Sequence, residues 1–145
     1  MNYRFLSPFA PIESQDHAQA LLFGSVVAFG VWTVALLVQA GAIFAGMGST
    51  GVAERGATAG FAVFLGVIAA LLAVVQWRKP NRLLPVMGIG WSLFDLSSVL
   101  VGLMVGAPAT MGALPVWAGV FVALVLVLCA ILHIGSIRAG FHLTR

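Results

Sequence analysis

The chain is predicted to be an all-α integral membrane protein, with four transmembrane helices in an up-down antiparallel bundle and both termini cytoplasmic. Three observations predict this. Of the 145 residues, 61% are hydrophobic and only 8% are charged, against about 25% charged in soluble domains. The mean hydropathy is +1.10; a small domain leaves much of its surface exposed, so lipid is the solvent that fits. The apolar residues also fall into four runs, each long enough at 1.5 Å per residue to cross roughly 30 Å of hydrocarbon.

The first run extends from Leu21 to about Ala45. Ser14 is suited to cap its helix, with Glu13 and Asp16 at the positive end of the dipole, so the helix starts before the bilayer. The segment before it carries Arg4, Pro8, Pro11, Glu13 and Asp16, which is not the pattern of a cleavable signal. Gly46 to Gly51 is a Gly/Ser loop. The second run covers about 57–77 and closes on Arg78-Lys79-Pro80-Asn81-Arg82. Pro80 cannot continue the helix, and Asn81 can cap the next one. The third run covers about 83–106, with Pro85 in its first turns, where a missing N–H costs little. The fourth covers about 114–137, with Pro115 at its first turn, and leaves a polar tail from Arg138. Runs of this length without period-2 alternation exclude a transmembrane β-barrel. Short loops imply antiparallel neighbours in a single domain spanning 1–145.

Orientation follows from the cations. Arg4, Arg78, Lys79, Arg82, Arg138 and Arg145 fall on one side of four spans and Arg55 alone on the other. The positive-inside rule makes the first side cytoplasmic, as in a multi-pass protein of the cell membrane, here the bacterial inner membrane. The net charge of +3 is thereby used in orientation. Nucleic acid is not an expected partner, because no basic face with interleaved aromatics exists. Arg78, Lys79 and Arg82 are also placed to meet lipid headgroups. Trp77 and Trp117 lie near opposite interfaces; Trp32 and Trp91 lie deeper and are expected to pack within the bundle or at a subunit contact.

Two GxxxG motifs, Gly56 to Gly60 and Gly102 to Gly106, bring small residues to the outer ends of spans two and three. Such glycines let helices approach closely. The expectation is close packing of spans two and three; the rival reading is contact with another subunit.

Asp95 is the anomaly. It lies about 18 Å into span three, near the bilayer centre, where an acidic side chain is costly and usually faces the bundle interior or a water-filled cavity. Trp91 and Ser98 share its helix face. Trp32 and Thr33 of span one reach the same depth and would meet Asp95 if the two spans adjoin. One reading is a proton- or ligand-binding carboxyl of a small transporter or channel; the other is a protonated side chain that holds helices together. His133 is the only histidine inside a span. It is expected as a polar residue near the inner interface, with a quinone or haem contact as the further option. Gln76 is expected at the same interface. Cys129 reads as a small hydrophobe.

No nucleophile–base set, phosphate loop, HExxH or CxxC occurs, and paired-carboxylate chemistry would need a second intramembrane acid that the chain lacks. No metal site, cofactor or enzymatic activity is expected. The expected partners are the lipid bilayer and other membrane subunits or a second copy of the chain. The expected role is that of a non-catalytic accessory or structural subunit.

Overall fold

The structure is a computed structural model that describes residues 9, 11–46, 52–105 and 116–143. Among the described residues it is all-helical, with no strand. Four helices follow in order: α1 (Gln15–Phe44), α2 (Val52–Arg78), α3 (Leu83–Val105) and α4 (Val116–His142). All four are long and apolar enough to cross a membrane.

The termini of these helices obey local chemistry. The Ser14 hydroxyl accepts the His17 N–H at 3.1 Å, so α1 begins six residues before its apolar run. Gly46, at a φ of 82°, turns the chain after α1 in a backbone region that side chains disfavour. Asn81 caps α3 by accepting the Leu84 N–H at 2.9 Å. The polar tail expected from Arg138 is instead helical as far as His142. Packing explains the extension: Ala139 is fully buried against Ala18 and Leu21 of α1.

The helices pack as two hairpins. α1 pairs with α2, α3 pairs with α4, and the α1–α4 seam joins the two. Ser136 meets Leu21 and Cys129 meets Ala28 on the α1–α4 seam. On the α1–α2 seam, Phe23 packs edge-on against Trp77, and Ala40 and Ile43 pack with Ala59 and Ala62. The expected close pairing of spans two and three does not occur. Among the described residues α2 and α3 do not line up along one another, and they meet only through side chains in a shared core of Trp32, Leu36, Ala69, Val99 and Leu126. A short connection holds the helix ends together but does not oblige the helices to pack. Here α1 is the helix that covers the inner face of α2.

Candidate functional site

Polar side chains inside apolar helices cost free energy unless they find partners, so their partners reveal what the fold asks of them. Three groups emerge along the bundle.

The first sits at mid-depth, where α3 meets α1. The Trp32 indole packs edge-to-face against Trp91, one helical turn before Asp95, with centroids 4.3 Å apart and planes at 89°. The structure thus brings Trp32 to the stretch of α3 that carries Asp95. Thr33 and Ser98 do not join it. The Thr33 hydroxyl turns back to the Phe29 carbonyl at 2.9 Å, and Ser98 turns back to Phe94 at 3.0 Å. Each of these two hydroxyls thus spends its hydrogen within its own helix. Asp95 itself is half-buried.

The second group lies nearer the inner ends, between α1 and α4. His133 is 2% exposed and Ser25 and Ser136 are fully buried, so the imidazole faces the inside of the bundle. Its Nδ1 lies 2.7 Å from the Ser25 Oγ. Ser136 does more. Its Oγ accepts the Ser25 N–H at 2.9 Å and donates to the Leu21 carbonyl at 2.7 Å. Those two backbone groups are one rung of the α1 ladder, four residues apart. The imidazole is wedged between Phe29, at 4.8 Å between centroids, and Gly88 of α3. A Cβ at Gly88 would overlap the His133 ring, so only glycine lets α3 come this close. Ser92, one turn beyond Gly88 towards Asp95, is buried and forms no hydrogen bond among the described residues.

The third group is at the α2–α3 turn. Gln76, expected at the interface, is 1% exposed. Its amide spans the turn, donating to the Asn81 carbonyl at 3.2 Å and accepting the Asn81 N–H at 3.3 Å. Arg78, Lys79 and Arg82 are exposed around it.

The glycine motifs separate. Among the described residues a Cβ on Gly56 or Gly60 would meet nothing within 4 Å, so this pair faces away from the described parts of the other helices. Gly102 is described only by its helical backbone, and Gly106 lies outside the described residues, as does the Trp117 side chain.

Sequence reasoning passed over Ser25 and Ser136. The signal was available: Ser25 lies four residues inside the inner end of span one and His133 four residues inside that of span four, so depth matching alone pairs them. No group of three or more His, Cys, Asp or Glu side chains gathers in metal-binding geometry among the described residues. No family model, no curated protein and no solved structure matches the chain.

Proposed function

We propose that the chain is a non-catalytic accessory or structural subunit of a homo- or hetero-oligomeric membrane complex. Its helices form an up-down bundle with both termini cytoplasmic in a bacterial inner membrane. The observation that carries the reading is the outward-facing Gly56–Gly60 pair on α2. Small residues at this spacing serve close helix contact, and no helix among the described residues uses them. α2 is covered by α1 on one flank only, and Phe61, Phe64, Val67 and Leu71 stay exposed beyond the pair. The interior polar groups support the same reading, because Ser25, His133, Ser136 and Gln76 are engaged in holding helices and a turn together.

The test is the mass of the particle purified in mild detergent. A complex larger than one chain is expected, and Gly60→Ile should dissociate it while leaving the helical content unchanged. A monomer, or an oligomer indifferent to Gly60→Ile, removes the reading.

A second reading has its own observation. Gly88, Ser92 and Asp95 recur on one face of α3, and Ser92 is a buried residue that forms no hydrogen bond among the described residues. Such a stripe suits a small proton-coupled transporter or channel. Flux into proteoliposomes that depends on a pH gradient and is abolished by Asp95→Asn, with assembly intact, would favour it over the subunit reading.

A further inference from the structure

Beside the α2–α3 turn lies a cavity of about 550 Å³. Its walls come from four places. Leu22, Phe23 and Val26 of α1 and Trp77 of α2 are apolar; Arg82 and Asn81 of the turn are polar; Gly140 of α4 lies behind Arg82. A cavity of this size matches those that enclose small organic ligands.

The chemistry of the walls is segregated. At the apolar end, Phe23 and Trp77 meet edge-to-face at 6.0 Å and 83°, and both present exposed ring surface. At the polar end, Arg82 is held in place from two directions. Its stem rests on Gly140, where a Cβ would come within 2.7 Å of the Arg82 Cγ. Its guanidinium lies 4.9 Å from the centre of the Phe141 ring, a cation–π contact that leaves the fork's hydrogens available. No carboxylate of the described residues pairs with Arg82. The turn is held by the Gln76–Asn81 amide pair, so the cation sits on a fixed support. Arg78 and Lys79 add positive field at the rim.

We propose that this cavity binds an anionic amphiphile: a phosphate-bearing headgroup on Arg82, with an acyl chain laid along Leu22, Phe23, Val26 and Trp77. The bidentate fit of guanidinium to phosphate supplies the polar recognition. Basic pockets between membrane helices on the cytoplasmic side are suited to acidic headgroups. This site is independent of the subunit reading, since Gly56 and Gly60 lie at the opposite end of α2.

The experiment is lipid retention by the purified protein, read by native mass spectrometry after adding phosphatidylglycerol, phosphatidylcholine or inorganic phosphate. Phosphatidylglycerol should be retained and phosphatidylcholine not. Arg82→Gln should lower phosphatidylglycerol retention about fivefold or more, the loss expected for one cation at an anionic headgroup. Val26→Trp, which fills the apolar end, should lower it too while leaving the charges in place. Arg78→Gln should change it less than Arg82→Gln. Thermal unfolding in detergent checks that each variant is folded. Retention of phosphatidylcholine equal to that of phosphatidylglycerol overturns the proposal, as does indifference to both Arg82→Gln and Val26→Trp in folded protein. If inorganic phosphate displaces the lipid at equal concentration, the site is a phosphate site and the acyl groove has no part in it, which also overturns the proposal.

Discussion

Helix α1 is held on its two sides by different means. Towards α4 it presents Ser25 and the Leu21 carbonyl, and α4 answers with His133 and Ser136 in directional hydrogen bonds. Towards α2 it presents Ala40 and Ile43, and α2 answers with Ala59 and Ala62, which carry no polar atoms in their side chains. In hydrocarbon, apolar side chains gain little by leaving lipid for each other, so the α2 seam depends on the closeness that small residues permit. The α4 seam adds a lock on register, because shifting α4 by one residue would strand the Ser136 hydroxyl and the imidazole together. One seam supplies contact, the other specifies alignment.

Substitutions at each seam can break this comparison. The largest effect is expected at Gly88, which seats the imidazole. Gly88→Leu should destabilise the protein by roughly 3 kcal/mol, the upper range for overpacking, in denaturant unfolding from detergent micelles. His133→Ala in the same chain should recover part of that loss, because the two residues share one space. On the apolar seam, Ala59→Leu should cost about 2 kcal/mol by pushing α2 from α1; Ala59→Ser should cost far less, and an equal cost for the two would show that the seam is not governed by size. Ser136→Ala should cost about 1 kcal/mol, near the middle of the range for interhelical hydrogen bonds in membranes. The smallest effect is the pairwise coupling of Ser25 and His133. A double-mutant cycle with Ser25→Ala and His133→Ala should give about 0.6 kcal/mol, and zero coupling would mean that the imidazole acts through packing against Phe29 and Gly88 alone.

Much of the fold was legible in the sequence because it follows from local rules. Spans can be read from runs of apolar residues, the Ser14 and Asn81 caps from side chains that accept backbone hydrogens, and the approach of Trp32 to the Trp91–Asp95 stretch of α3 from equal depth. Neighbour relations were less accessible. The short turn at Pro80 suggested that α2 and α3 pack together, but a turn constrains two ends and says nothing about which faces are complementary. His133 was placed at the rim by its polarity and depth; its burial depends on Ser25, Ser136 and Gly88, which come from three helices and acquire meaning only together. The end of α4 was missed for a similar reason, since Arg138 reads as tail until Ala139 is seen against Ala18.

The pairing of helices into hairpins has a consequence for how the chain is made. Ribosomes deliver it from the amino end. α2 can find its seat on α1 once residues 15–78 are made, whereas α3 then has only its narrow contact with α1 at Trp32. It must wait for α4, and Ser25 waits with it, its partners His133 and Ser136 being made after α3. During that interval the Gln76–Asn81 clasp holds the turn that leads into α3. A chain truncated before α4 should therefore show a protected first hairpin and an α3 that is readily captured by quality-control proteases.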